Sequence, residues 1–576
     1  MCGILFSING DLSLESLKLL RHRGPDNQEI WRKANVTIGH TRLSIVDLST
    51  EANQPFHNED NSIHLTCNGE IYNADELRSI LISKGHFFNS KSDNEVILHG
   101  YEEWSSGILD RLTGMFAFVI WDERLKRVFA ARDHVGIKPL YYFNTRESFV
   151  AASELTVIKR DSSELNPIAL GYYLGLGYIP SPLTLYKEYS KIEPGHYILW
   201  NERKGLSTHK YWEPPTDIKD GKEDFTELFH EVVSDHLMAD VPIGTFLSGG
   251  LDSTSIVVAL KELGYSTEAL TIGFPESKRN ESAVAAETAR SLAFPQSIID
   301  LYGHDVMSLI RKSSQIYDEP QGFSALLTMI QVCEVAAKNY KVVLSGDGGD
   351  EIFGGYNWYK NIGGIQPNYK SRFANRWLYM LTSNKRFLRS EVFSNISDLH
   401  QHAWRLFPRF LPEQINRLLS DYQINFNEDD LLEPLRKHFV TGLPLKRALQ
   451  RVDLMTFCAD SINPKVDRAS MAFSMEVRVP FLDKRMIEYG LSLPLEKRFE
   501  NQPKQVLRNY LRNRVPESVL RQPKQGFSAR MFAATHFEEM KKFNLNNSKY
   551  LDYDSQSLND SQEWLIYNLH QNLNRN

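Results

Sequence analysis

The sequence predicts an α/β protein built from two unlike domains, and three observations lead there. Up to about residue 210, short apolar runs recur at hairpin spacing with few helical stretches between them, the pattern of a strand-rich antiparallel unit. From 226 onward apolar strands alternate with helical segments, the pattern of a parallel sheet. Between them YWEPPTDIKDGKEDF (211–225) is rich in proline, glycine and charge and reads as a linker. A chain of 576 residues is also too long for one core. Hydrophobic residues at 42 % and charged ones at 24 % are ordinary for globular domains.

In the first domain the strand-like runs fall at 3–8, 36–46, 63–67, 115–122, 128–133 and 140–143, with a helical stretch at 93–104. The second opens with the helical FTELFHEVVSDHLM. TFL then leads into SGGLDS (248–253) and the helical TSIVVALKEL. ALTIGF (269–274) and KVVLSG (341–346) are further strands, and ESAVAAETARSLA is a helix. Residues 365–440 are helical, aromatic and basic without a motif. A 226–530 domain is followed by a polar, Asn-rich tail, 531–576.

Several function classes are excluded. A net charge of −6 without a basic stripe gives no nucleic-acid footprint. The four cysteines, Cys2, Cys67, Cys333 and Cys458, form no C-x-x-C pair, so neither a zinc site nor a disulfide framework is expected. MCGILFSING lacks the basic start of a signal peptide, and no window approaches the roughly 18 apolar residues of a membrane span. A cytoplasmic location with reduced thiols is the expectation.

Cys2 carries chemistry of its own. Removal of Met1 before this small residue would leave a free α-amine titrating at roughly 7.7–8.0, a built-in base for the thiol. A buried structural cysteine is the plain alternative for Cys2 taken alone. Its companions weigh against that. RHRGPD (21–26), HTRLSIVD (40–47), CNGEIYN (67–73) and SDNEV (92–96) hold the parts a glutaminase needs. These are a guanidinium for the substrate carboxylate, acceptors for its ammonium, and an amide with a backbone N–H for the oxyanion.

With GMFAF (114–118) and RDHVGIKPLYY (132–142), these motifs resemble the class II, N-terminal-nucleophile glutamine amidotransferase domain. The resemblance implies an αββα sandwich of antiparallel sheets over residues 1–210. It makes Cys2 the nucleophile, Arg42 the ligand of the glutamine carboxylate, and Asn68 and Gly69 the oxyanion hole. Glu70 and Asp93 would hold the glutamine amino group, with Arg21 to Asp26 shaping the adjoining loop.

In the second domain LSGGLDS (247–253) follows an apolar stretch and opens a helix, an arrangement whose free N–H groups suit phosphate. The lysine of a Walker A loop is absent. KVVLSGDGGDEIFGGY (341–356) repeats the strand-to-turn pattern and adds acids of the kind that hold Mg²⁺. Both resemble the ATP pyrophosphatases and the asparagine synthetase domain, which implies a doubly wound parallel sheet. On that resemblance Asp252 and Asp350 hold Mg²⁺ and pyrophosphate. Ser248, Gly249, Gly250 and Ser253 form the phosphate loop, and Leu247, Ile272, Ser345 and Gly346 line the adenosine site. NPKVDRASMAFSMEVRVPFLD (463–483) adds Lys465, Asp467, Arg468, Glu476 and Arg478. Of these, Lys465 and Arg468 are catalytic candidates, since a cation there would stabilise developing negative charge. An ion-paired helix that only packs on the sheet is the alternative.

Together the two halves resemble the glutamine-hydrolysing asparagine synthetase family over about residues 1–530. The implied reactants are glutamine, ATP with Mg²⁺, and an acceptor carboxylate, aspartate foremost. Three departures put the acceptor in doubt. Asp347 stands where the family carries glutamate, and is shorter by one C–C bond, about 1.5 Å. A displacement of that size costs about 10²-fold in rate. A Thr-rich aspartate-contacting segment is replaced by YDEPQGFSALLTM (317–329). Arg468 aligns with the family's catalytic lysine and cannot shuttle protons as lysine can. These features are similar to members found with bacterial surface-polysaccharide genes, so amidation of a uronic-acid sugar is the second reading. A glutaminase with a degenerate second domain and a non-catalytic scaffold are the others. No nucleic-acid or membrane partner is expected, and the oligomeric state is left open, a homodimer included.

Overall fold

The computed structural model describes residues 2–10, 12–218, 224–273, 281–300, 306–360, 399, 410–499, 502–521, 534–547, 549, 551–552 and 558–574. The N-terminal strands are β1 (Cys2–Ile8), β2 (Asn27–Lys33), β3 (Val36–Arg42), β4 (Phe56–His57), β5 (Ile63–Ile71), β6 (Gly114–Asp122), β7 (Arg127–Arg132), β8 (Tyr141–Asn144), β9 (Phe149–Ala152), β10 (Ser190–Lys191), β11 (His196–Asn201) and β12 (Gly205–Lys210). They form two antiparallel six-stranded sheets, ordered β10-β8-β9-β1-β3-β2 and β12-β11-β7-β6-β5-β4.

Side chains alternate across each strand, and both faces find an apolar partner. From β1, Ile4, Phe6 and Ile8 enter the layer between the sheets, together with Ala117 and Val119 of β6. From the same β6, Phe116, Phe118 and Ile120 point the other way. There they meet Leu77 and Leu81 of the helix Ala74–Ser83 and Val96 and Tyr101 of the helix Glu95–Trp104. The outer face of the first sheet is covered by the helices Leu14–Lys18 and Leu155–Ile158. This is the expected αββα sandwich.

The second domain adds β13 (Ile243–Phe246), β14 (Ala269–Gly273), β15 (Gln296–Asp300), β16 (Val342–Leu344) and β17 (Glu476–Arg478). All pairs are parallel and the order is β15-β14-β13-β16-β17. The order reverses between β13 and β16. Such a switch point opens a crevice at the carboxyl ends of the strands, the usual ligand position in an open α/β sheet. The expected doubly wound parallel sheet is present.

Two regions gain definition from packing. Of 365–440, residues 365–398 and 400–409 lie outside the described residues. The described helices Pro412–Leu418 and Glu428–Arg436 face the helix Pro167–Leu176, where Gly171 sits against the Phe426 ring. The stretch set apart as a tail is corrected. It supplies the helices Ala534–Asn546 and Asp560–Leu573, and Trp564, Leu565, Ile566 and Leu569 are buried. Its polarity misleads because its polar groups satisfy buried carbonyls. Trp564 Nε1 donates to Gly322 O at 3.0 Å and Asn572 Nδ2 to Tyr317 O at 3.0 Å. Among the described residues no helix is long and apolar enough to cross a membrane.

Candidate functional site

Cys2 opens β1 directly opposite Arg42 of β3. Asn68 and Gly69 lie inside β5 rather than at its end, since the strand continues to Ile71 opposite Gly114. A side chain at position 69 would lie 2.7 Å from Phe116 Cα, so the close β5–β6 approach requires glycine. The Cys2 N–H donates to Asn68 Oδ1 at 3.0 Å, which ties interior strands of the two sheets together. Asn68 is fully buried, and its Nδ2 has no hydrogen-bond partner among the described residues. A buried amide donor left open beside a thiol is what an oxyanion would fill.

The other sequence candidates surround this point. Arg42 is buried, and its guanidinium donates to Ser49 O (2.6 Å), Asn53 Oδ1 (2.8 Å) and Asp47 O, so it is locked into the 46–53 loop. Asp93 accepts the Ile71 N–H at 2.7 Å. Burial raises its carboxyl to about 6, against the pull of that hydrogen bond and of Arg478. Burial, Glu476 and Asp93 push Glu70 well above the ordinary carboxylate range. Burial also pushes the Cys2 thiol up, while the terminal ammonium, the Leu43 backbone and Arg42 pull it down. Acidic groups for an ammonium and an open donor for an oxyanion therefore flank one sulfur.

The crevice between β13 and β16 holds the second group. The helix Leu251–Glu262 starts at Gly250 without a side-chain cap, so its first-turn N–H groups face the crevice. Ser253 Oγ steadies the turn, accepting the Ser248 N–H at 3.1 Å and donating to Gly250 O at 3.2 Å. Leu247 and Ile272 stand on neighbouring strand ends, where the Leu247 N–H donates to Leu270 O at 2.9 Å. From β16, a Cβ on Gly346 would lie 2.8 Å from Asp252 Cβ, so the two loops touch only because that residue is glycine. Asp252 and Asp350 converge on the Lys504 ammonium, 2.6 Å from Asp350 Oδ1. Two carboxylates already sharing one cation form a donor set suited to Mg²⁺.

Asp347 lies beside this crevice. Its Oδ2 accepts from Ser345 Oγ at 2.5 Å and its Oδ1 from Lys465 Nζ at 3.2 Å. Arg468, on the same helix as Lys465, points elsewhere. It pairs with Glu154 of the first domain and with Asp318 Oδ1 at 3.0 Å, and donates to Ile316 O at 2.9 Å. Expected beside the reacting carboxylate, Arg468 instead clamps the domains; the ammonium at Asp347 is Lys465.

One helix joins the two groups. Asn463–Met471 carries Lys465 and, two residues on and so on a different face, Asp467. Asp467 takes a bidentate pair from the fully buried Arg23 at 3.0 and 3.1 Å, and Arg23 Nε donates to Cys2 O at 3.1 Å. β17 makes a second link. The Ser345 N–H donates to Arg478 O at 2.9 Å, and the Arg478 guanidinium lies 2.5 Å from Glu476 and 3.3 Å from Glu70.

The second half of the chain, residues 224–562, matches the family described as asparagine synthase, and residues 1–212 match the glutamine amidotransferase domain. The chain belongs to the asparagine synthase family. It is 31 % identical over 525 residues to asparagine synthetase [glutamine-hydrolyzing] 1 of Bacillus subtilis, covering 88 % of this chain and 82 % of that protein. A putative asparagine synthetase [glutamine-hydrolyzing] 2 of Methanocaldococcus jannaschii is 31 % identical, covering 84 % of this chain and all of that one. Amidase chry2 of Gibberella zeae is 28 % identical, covering 89 % and 84 %. For an asparagine synthase family member, two residues stand out that sequence reading passed over. Arg23 was noted only as part of a loop, and Lys504 not at all. Nothing in QPKQVLRNYL marks Lys504, because its partners lie about 150 and 250 positions away. A lysine held in the left-handed region at φ 58° is a signal only the backbone supplies.

Proposed function

We propose that this protein is a glutamine-dependent, ATP-consuming amidotransferase that converts an acceptor carboxylate to its amide, with aspartate as the leading acceptor. The observation that carries the reading is the linkage of both groups through one helix, Cys2–Arg23–Asp467 on one side and Lys465–Asp347 on the other. In this reading the Cys2 thiolate attacks the glutamine carboxamide. Asn68 Nδ2 and the Gly69 N–H take the oxyanion, and Asp93 holds the substrate ammonium. Hydrolysis of the thioester leaves glutamate, and the ammonia passes to the second domain. The acceptor carboxylate attacks the α-phosphate of ATP and expels pyrophosphate; ammonia then displaces AMP. Asp252 and Asp350 would hold Mg²⁺, which neutralises charge on the leaving pyrophosphate. Lys465 balances charge at the adenylate, and Asp347 is placed to take a proton from the incoming ammonia.

A sugar acid is the second reading, favoured by the use of residues 318–319. Asp318 accepts from the Leu155 N–H and the Thr156 hydroxyl, each at 3.0 Å, and Glu319 pairs with Lys191 at 3.0 Å. These two acids are spent on the domain interface rather than on an acceptor. The deciding assay offers purified protein glutamine, ATP and Mg²⁺ with either aspartate or nucleotide-linked uronic acids. Asparagine formed with AMP supports the leading reading. AMP formed only with a sugar acid supports the second, and glutamate release without pyrophosphate under every condition overturns both.

A further inference from the structure

On the outer face of the first domain, away from both reaction centres, two histidines meet a group of carboxylates. Glu59 follows β4, His86 lies in the loop after the helix Ala74–Ser83, and His99 and Glu102 stand one turn apart on the helix Glu95–Trp104. Ligand atoms of Glu59, His86 and His99 all lie within 4.8 Å of one another. His99 Nδ1 is 3.2 Å from Glu102 Oε2 and 4.0 Å from Glu59 Oε1, and His86 Nδ1 is 3.8 Å from the same Glu102 oxygen. Bonds of about 2.0–2.2 Å to a tetrahedral zinc place ligand atoms about 3.3–3.5 Å apart, so small side-chain movements would close this group on an ion.

The surroundings fit a ligand rather than a surface cluster. His99 is 1 % exposed, and its Nε2 makes no hydrogen bond but faces Glu95 Oε1 at 3.7 Å. Glu95 is itself fixed by the Asn89 and Ser90 N–H groups and the Ser90 hydroxyl, at 2.8, 2.9 and 2.6 Å. Nδ1 now donates to Glu102; with a metal bound, the Glu95 carboxylate behind the ring would keep the proton on Nε2 and free the Nδ1 lone pair, the usual support of a metal-bound histidine. Glu59 is held by the Phe87 N–H at 3.1 Å, and Glu102 by Asn58 Nδ2 at 2.7 Å. Glu59, Glu95, Glu102 and Glu103 gather here, and Lys84 is bound to Glu103 at 2.6 Å, so the local field favours a cation.

We propose that Glu59, His86 and His99 bind a divalent transition-metal cation of the zinc class, with Glu102 steadying the two imidazoles. Two neutral imidazoles and one carboxylate supply three protein ligands. Its effect is to pin the loop 84–90 to the helix Glu95–Trp104, which begins two residues after Asp93. The rival occupant is a proton. Burial opposes a charge on His99, but its hydrogen bond to Glu102 and the nearby Glu95 carboxylate hold its pKa up at about 9, so zinc must displace that proton.

The test uses the full chain, stripped with a chelator, dialysed, and loaded with Zn²⁺ or Co²⁺ in the wild type, Cys2→Ala, His86→Ala and Glu102→Gln forms. The expected result is one zinc per chain and the visible absorption of tetrahedral Co²⁺ in the wild type and in Cys2→Ala, both lost in His86→Ala. His86 lies in a loop, so that variant leaves the core intact. Absence of bound zinc in the wild type overturns the proposal, as does a full equivalent surviving in both His86→Ala and Glu102→Gln.

Discussion

Replacing Asn68 with alanine separates catalysis from stability. The side chain has two ends. Oδ1 accepts the Cys2 N–H at 3.0 Å, and Nδ2 is buried without a hydrogen-bond partner among the described residues. With Cys2 N the free α-amine, losing the first end removes one hydrogen bond from a charged group, about 1.5–3 kcal/mol of stability. Losing the second relieves an unmet buried donor, worth about 1–3 kcal/mol, which offsets the first. The melting temperature of Asn68→Ala should therefore stay close to the wild type. Catalysis has no such offset, because an oxyanion donor is worth about 2.7–4 kcal/mol, a fall of about 10²–10³ in kcat. Asn68→Asp keeps the acceptor, loses the donor, and should fall at least as far. Two rates are measured, glutamate release from glutamine and pyrophosphate release driven by free ammonium. The first should drop and the second hold. Wild-type glutamate release in Asn68→Ala, or a parallel fall of both rates with a lowered melting temperature, would refute the oxyanion role.

Five further outcomes follow from the geometry. Asp93, lifted to about 6 by burial, is protonated below that pH and ionised above it, so kcat/KM for glutamate release should fall as pH drops through about 6. The same limb should be missing from the pH profile of Asp93→Asn. Lys465→Met should cut pyrophosphate release by about 10²-fold or more through loss of its charge while glutamate release persists. Arg468→Met removes the cation shared by Glu154 and Asp318, which keep Arg23 and the Leu155 N–H as partners, and should instead lower stability by at most about 3–5 kcal/mol, read as a shifted denaturant midpoint. Lys504→Met leaves Asp252 and Asp350 facing each other. Its melting temperature should fall without Mg²⁺ and recover more on Mg²⁺ addition than the wild type does. Arg23→Met severs the Cys2–Asp467 link, and should lower pyrophosphate formed per glutamate released more than it lowers glutamate release itself.

Local pattern in the sequence was sufficient for the two-domain α/β class, the strand-rich first half and the strand–helix alternation of the second. Periodicity and turn residues act over a few positions, and β1, β5, β6, β13 and β16 all lie where apolar runs place them. Cys2, Asn68, Asp93, Asp252 and Asp350 stand out as candidates because each sits in a short motif that resembles a known family. Tertiary structure decided what depends on partners far along the chain. Arg468 and Lys465 stand three residues apart on one helix, and nothing local says that one faces Glu154 and the other Asp347. The same holds for Arg23 against Asp467, 444 positions away, and for Lys504 against Asp252, 252 positions away. The polar C-terminal segment entered the core because its Trp564 and Asn572 found buried carbonyls to serve. A buried charge or amide is stable only with its partner in place, and that partner is chosen by packing and not by neighbours in sequence.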